Sequence, residues 1–256
     1  MKFTSATAFL TLATAAYAMP ADVEKRAMCT TYGYVYSCAG AAAATSTKAA
    51  TTAKATSTGT TSSGSSTGGK TGYSSGATAS DIENNTGCTE YTVIFARGTS
   101  ESGNIGSVAG PPLFKQLISD LGASGVTLQG VNYPASASGN VDCGADGGAN
   151  MASMASTILS RCPNTKLTLS GYSQGACVVH NAVEKQGLDA TKVSSVVLFG
   201  DPFNGQSVGS VPSSKLLEIC ASGDDICNGS GSYTITSAHL TYGNNAAQAA
   251  SFIESN

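Results

Sequence analysis

Beyond residue 85 the apolar positions come in short bursts: Tyr91–Ala96, Val126–Val131, Leu167–Leu169, Val193–Phe199 and Leu216–Ile219. Each burst is rich in β-branched or aromatic residues, and brief apolar runs of this kind predict strands buried on both faces. Between the bursts lie segments that read as helices, Leu113–Leu121, Asn150–Leu159 and Ala176–Lys185, with Leu240–Ile253 after the last strand. Strands that alternate with helices predict a parallel sheet covered on both sides, so residues 85–256 are expected to form one three-layer α/β/α sandwich. A segment of that length can bury a sizeable core. Residues 200–215 carry neither period and read as loop with at most a short helix.

Upstream the pattern dissolves. Residues 41–84 are dominated by Ala, Thr, Ser and Gly and predict a disordered linker, with the Ser/Thr density of an O-glycosylated stalk. Residues 27–40 form a short segment bounded by Cys29 and Cys38, in which Tyr32, Tyr34 and Tyr36 alternate and would share one face of a strand. Local spacing pairs Cys29 with Cys38. The tyrosines suggest weak adhesion to an insoluble polymer, with a packed cap as the plainer reading. Lys2 followed by the apolar run Ala6–Ala18, ending Ala16-Tyr17-Ala18, predicts a signal peptide over residues 1–18. Lys25-Arg26 then marks the end of a short propeptide, residues 19–26.

Composition agrees with export. The chain has eight cysteines, an even number, so disulfides rather than zinc are expected. From residue 81 onward seven Lys and Arg face 14 Asp and Glu, and no basic cluster occurs. That balance argues against nucleic acid and anionic membrane partners. No later apolar stretch is long enough to cross a bilayer. A secreted, extracellular monomer is expected. Asn84-Asn85-Thr86 and Asn228-Gly229-Ser230 are N-glycan acceptor motifs, which makes Asn84 and Asn228 the candidate sites.

The candidate chemistry centres on Gly171-Tyr172-Ser173-Gln174-Gly175, which matches G-x-S-x-G after a predicted strand and before a predicted helix. In that setting the motif is a nucleophile elbow, a sharp turn that lifts the serine oxygen clear of the sheet. The plain alternative is an ordinary strand–helix turn. A serine nucleophile needs a base, and the chain has two histidines. His180 is seven residues along the helix that Ser173 opens, about 10 Å away, and is assigned a structural or surface role. His239 follows in the chain order nucleophile, acid, base. The acid then lies among Asp189, Asp201, Asp224 and Asp225. Asp224 and Asp225 follow the last predicted strand and sit between Cys220 and Cys227, whose pairing would hold the loop tight. Sequence logic alone leaves the two neighbours open. One oxyanion-hole N–H is expected from Gln174 and the other from the loop Arg97–Glu101. Arg97 reads as structural. No metal or organic cofactor is expected. The base must be neutral to act, so activity should rise from acid toward neutral pH.

The segments ARGTSE at 96–101, GYSQGA at 171–176, C-x-x-x-D-x-I-C at 220–227 and AHLTYG at 238–243 recur in the order found in fungal cutinases. From about Cys88 to the C-terminus the chain resembles that family, within the cutinase and acetylxylan esterase group of small lidless α/β-hydrolases. The resemblance implies a five-stranded parallel sheet, a Ser173–Asp224–His239 triad with Asp224 preferred over Asp225, and oxyanion N–H groups from Thr99 and Gln174. It also implies the disulfides Cys88–Cys162 and Cys220–Cys227, which leaves Cys143–Cys177 as a pair by elimination. The implied activity is hydrolysis of carboxylic esters in the plant polyester cutin and of short-to-medium acyl esters. An acetylxylan esterase, a general carboxylesterase or small lipase, and a catalytically inactive binding protein are the alternatives. The substrate partner is an insoluble polyester or polysaccharide ester. The loop 225–238 is longer than the family's usual one, and the tyrosine segment and linker lie outside the resemblance.

Overall fold

The computed structural model describes residues 28–31, 34–37, 68–229 and 234–256. The chain divides into two units, residues 1–60 and 61–256. In the first, strand β1 (Met28–Thr31) pairs antiparallel with β2 (Tyr34–Ser37), so that Tyr34 and Tyr36 stand at alternate positions of one strand. The expected signal peptide, propeptide and Cys29–Cys38 bridge lie outside the described residues.

In the second unit the five apolar bursts become five parallel strands: β3 (Tyr91–Ala96), β4 (Val126–Gly130), β5 (Lys166–Tyr172), β6 (Val193–Phe199) and β7 (Leu216–Ile219). Their order in the sheet is β4-β3-β5-β6-β7. Four helices cover it: α1 (Gly110–Leu121), α2 (Ala145–Arg161), α3 (Gln174–Glu184) and α4 (Ala246–Ser255). The period of two sorts each strand between two cores. Ile94 and Ala96 of β3 join the core under α2 and α3, while Tyr91, Val93 and Phe95 join the one that holds Phe114 and Leu117 of α1 and Ile253 of α4. Buried hydroxyls on the strands and just before them satisfy one another in pairs, Thr89 with Thr127 (2.7 Å), Thr92 with Thr165 (2.8 Å) and Thr168 with Ser195 (2.8 Å).

Three expectations change. The last helix starts at Ala246 rather than Leu240, because 238–245 is taken up by two 3-10 turns, Ala238–Leu240 and Tyr242–Asn245. The linker does not run to residue 84. From residue 68 the chain is bonded to the domain, and around Ala79–Asp81 it lies along β4, the edge strand: Gly130 N–H donates to Ala79 O (2.9 Å) and Leu128 N–H to Asp81 Oδ2 (2.8 Å), while Gly72 N–H braces Asp81 from within the strap through Oδ1 (2.8 Å). Tyr73 anchors the strap edge-on against Phe114, at 5.5 Å between ring centroids. An exposed strand edge invites foreign pairing, and this strap covers it. Its polar composition hides the few anchors, Tyr73, Ala79, Asp81 and Ile82, that do the work of attachment.

The cysteines supply the third correction. Cys88–Cys162 and Cys220–Cys227 are bridged, but Cys143 and Cys177 are both free thiols. Pairing by elimination assumed that every cysteine is spent. Cys143 instead occupies a turn with φ of 44°, and Cys177 is buried on α3. A hydrogen bond with Cys143, followed by burial, pushes the Cys177 thiol well above its ordinary range and keeps it protonated.

Candidate active site

Strand β3 has β4 on one side and β5 on the other, so the connections after β3 and β5 depart in opposite directions. At such a switch point a crevice opens beyond the carboxyl ends of the strands, where ligands of open α/β sheets bind. The two loops that border it are the one after Ala96 and the turn at Ser173.

Ser173 sits at φ 55° and ψ −120°, a strained conformation for a residue with a side chain, and its N–H is held by Phe199 O at 2.9 Å. The neighbouring glycines are obligatory by space. A Cβ on Gly171 would lie 2.1 Å from Gly175 O, and one on Gly175 would lie 2.0 Å from Ala96 O. That contact presses the start of α3 against the end of β3 and brings the two loops together.

His239 Nε2 stands 2.9 Å from Ser173 Oγ, and His239 Nδ1 stands 2.8 Å from Asp224 Oδ2. Ser173 keeps 9% of its surface exposed, against 2% for His239 and 0% for Asp224, so the serine is the member that a solute can reach. Asp224 Oδ1 also accepts the Ile226 N–H at 2.9 Å, and Oδ2 accepts the Tyr242 hydroxyl. Burial alone would raise the Asp224 pKa. The hydrogen bonds from Tyr242, His239 and Ile226 outweigh it and hold the carboxyl below its usual range. The Cys220–Cys227 bridge closes the loop around it. Tyr172 donates its hydroxyl to His239 O (2.8 Å), which fixes the imidazole's backbone to the sheet. Gly200 makes room for the cluster: at φ 56° its missing Cβ would lie 2.9 Å from His239 Cε1 and 2.8 Å from the Tyr242 ring.

The other candidate acids go elsewhere. Asp225 accepts from Asn228 Nδ2 (3.0 Å), and Asp189 caps a 3-10 turn through the Thr191 N–H (2.9 Å). Asp201 meets His180.

Gln174 is the first residue of α3, where helix N–H groups have no partner within the helix. Its Nε2 donates to Asn140 Oδ1 at 2.8 Å, and the Thr99 hydroxyl donates to the same oxygen at 3.1 Å. Asn140, in the 3-10 turn Ala137–Asn140, thus joins the two expected oxyanion residues. Nothing in its local sequence marks it. The loop bearing Thr99 is braced from within. Glu101 accepts N–H groups of Gly98 (2.8 Å), Ser107 (2.8 Å) and Val108 (3.0 Å). Arg97 donates to the carbonyls of Glu101 (2.7 Å) and Tyr133 (2.7 Å), the structural part assigned to it.

His180 is buried, with Asp201 Oδ2 at 3.0 Å from Nε2 and Glu184 Oε1 at 3.1 Å from Nδ1. Burial by itself would lower its pKa; the two carboxylates override this and raise it to about 10. The imidazolium therefore clips α3 to the loop after β6. A raised folded-state pKa gives stability that is complete below the unfolded value near 6.5 and is lost as pH climbs toward the folded one. His180→Gln should lower the melting temperature by about 10 °C at pH 6. The gap to wild type should narrow steadily up to pH 10 in a series of thermal melts. A gap that stays constant with pH would show that His180 is held neutral.

Among the described residues no group of three or more His, Cys, Asp or Glu could hold a metal ion. No helix among them is long and apolar enough to cross a membrane.

Comparison with known proteins adds to this geometry. Residues 87–256 match the family model described as Cutinase. The chain is 48% identical over 180 residues to Cutinase 4 of Emericella nidulans, covering 70% of this chain and 77% of that one. It is 48% identical over 169 residues to a cutinase of Botryotinia fuckeliana, covering 65% and 83%. Among solved structures it resembles Trichoderma reesei cutinase in complex with a phosphonate inhibitor, with TM-score 0.61 and 44% identity, covering 66% of this chain and 76% of that one.

Proposed function

Because this chain belongs to the fungal cutinase family of α/β-hydrolases, we propose that it is secreted and hydrolyses the esters of a cutin-like polyester through Ser173, His239 and Asp224. Hydrolysis of carboxylic esters by a serine is the activity of the chain; the residues and the polymer are the proposal. Ser173 attacks the ester carbonyl while His239 Nε2 takes its proton. Asp224 holds the imidazole in the tautomer that leaves Nε2 free to accept. The N–H groups of Thr99 and Gln174 receive the charge that grows on the carbonyl oxygen. The imidazolium protonates the departing alcohol, and the acyl-enzyme is then cleaved by water with His239 as base again.

The observation that carries the reading is the relay of 2.9 and 2.8 Å hydrogen bonds from Ser173 through His239 to Asp224. The choice of an apolar polymer rests on a second one. Among the described residues the exposed large hydrophobics are Val141, Ile235 and Leu240. Val141 follows Asn140, Leu240 follows His239, and Ile235 lies in the loop that joins Asp224 to His239. Apolar side chains gathered at the rim of a site favour contact with an apolar surface. Asn84 and Asn228, both exposed, are the proposed N-glycan acceptors. The tyrosine-bearing hairpin is proposed as an accessory polymer contact.

Rates on acetyl, butyryl and longer p-nitrophenyl esters, set beside release of monomers from a cutin film and of acetate from acetylated xylan, test the substrate class. Butyryl should exceed acetyl and the film should be degraded. Acetylated xylan as the best substrate, with acetyl ahead of butyryl, would overturn the polyester reading in favour of an acetylxylan esterase.

A further inference from the structure

Asp224 Oδ2 is shared between two donors, His239 Nδ1 at 2.8 Å and the hydroxyl of Tyr242. The tyrosine has little freedom to do otherwise. Its side chain is fully buried, and its oxygen already accepts the Ala221 N–H at 3.1 Å. The third neighbour, the Cys227 sulfur at 3.3 Å, is half of a disulfide and carries no proton. The phenolic proton is thereby directed to the carboxylate. Rings of Tyr172, Phe199 and His239 surround it, with centroids at 5.7, 6.0 and 6.0 Å, and Gly200 leaves it space. Burial first, and then the Asp224 charge, raise the phenol above its ordinary range, so it remains a donor throughout the working pH range.

We propose that Tyr242 is a positioning residue for ester hydrolysis, whose hydroxyl competes with His239 for Asp224 Oδ2 and sets how strongly that carboxylate attracts the imidazolium. The inference rests on the Ser173–His239–Asp224 reading above. A carboxylate that gives part of its charge to a phenol binds imidazolium less tightly and stays ionised at lower pH. Both effects extend activity toward acid. The second donor also fixes the carboxylate plane, and with it the direction of His239 Nε2. The other ionisable groups facing this cluster are Tyr172 of β5, whose hydroxyl goes to His239 O, and Glu101 of the oxyanion loop, which acts on Tyr172.

Tyr242→Phe keeps the ring and removes the donor. At the pH plateau kcat should fall about tenfold with KM within about twofold, and the acid limb of the kcat/KM profile should move up by about one pH unit. The low-field proton NMR resonance of His239 Nδ1–H should move further downfield, since its hydrogen bond no longer has a rival. This readout needs no turnover. If the resonance responds to the substitution while Ser173 takes up no organophosphonate, the assignment of Ser173 as nucleophile falls, and with it the role in ester hydrolysis, while the competition of Tyr242 and His239 for Asp224 Oδ2 stands. If Ser173 is labelled and the resonance, the acid limb and kcat all stay in place in Tyr242→Phe, the role of Tyr242 is disproved. Should the variant fail to fold, 3-fluorotyrosine at position 242 retains every contact with a more acidic phenol. It should move the resonance upfield and the acid limb down, and no movement would equally reject the proposal.

Discussion

Ser173→Ala should lower kcat on p-nitrophenyl butyrate by about 10⁵- to 10⁶-fold, the scale seen when a serine nucleophile is removed from a triad that acts as a unit. The residue is small, and its hydroxyl bonds His239 Nε2 at the open side of the relay, so the core loses nothing. The variant should melt within about 3 °C of wild type. It should also lose all reaction with an organophosphonate, as read by intact mass. The oxyanion donors and the binding surface remain, which is why a residual rate above that of water is expected. An alanine variant retaining a tenth of wild-type turnover would dismiss Ser173 as the nucleophile.

The second large effect separates two neighbours. Asp224→Asn should reduce kcat by about 10⁴-fold, because an amide facing His239 Nδ1 favours the tautomer that carries its proton on Nε2, where it cannot accept from Ser173. Asp224 meets His239 at 2.8 Å with no exposed surface. Asp225 is part-exposed and accepts from Asn228, so Asp225→Asn should stay within about threefold of wild type. Steady-state kinetics on both variants, with melting curves to show that each is folded, decide the matter. A severe loss at Asp225 with a mild one at Asp224 would shift the acid by one residue.

The positions of the strands and of the apolar runs that fill the core were the most legible parts of the chain. Bursts such as Val193–Phe199 appear as strands with the limits read from the sequence, because a strand buried on both faces is apolar at most positions, and its few hydroxyls, such as that of Ser195, are paired within the sheet. The elbow was equally legible, since a nucleophile turn demands glycine at set distances from its serine. Helix ends were less so. The start of α4 was misplaced because Leu240 looks like the first apolar position of the helix, whereas it is one of the exposed hydrophobics beside His239.

The limits of local reading show most clearly where a role depends on who arrives from elsewhere in the chain. Asp201 and Asp224 both follow strands, yet one meets His180 and the other His239. Asn140 and Gly200 carry no motif, and the AHLTYG segment that contains Tyr242 does not say what its hydroxyl meets; each matters through a contact with residues far away in sequence. The strap at 68–86 looks like linker because hydrogen bonds to an edge strand are made by backbone and one buried carboxylate, which leave no hydrophobic period. The sequence by itself determined what local chemistry can dictate: the apolar strands, the helical stretches between them, the elbow and the candidates for base and acid. Only the tertiary structure decided which of those candidates meet, which thiols stay free and where the linker ends, because hydrogen-bond distance, burial and strand adjacency belong to the packed chain and not to any segment of it.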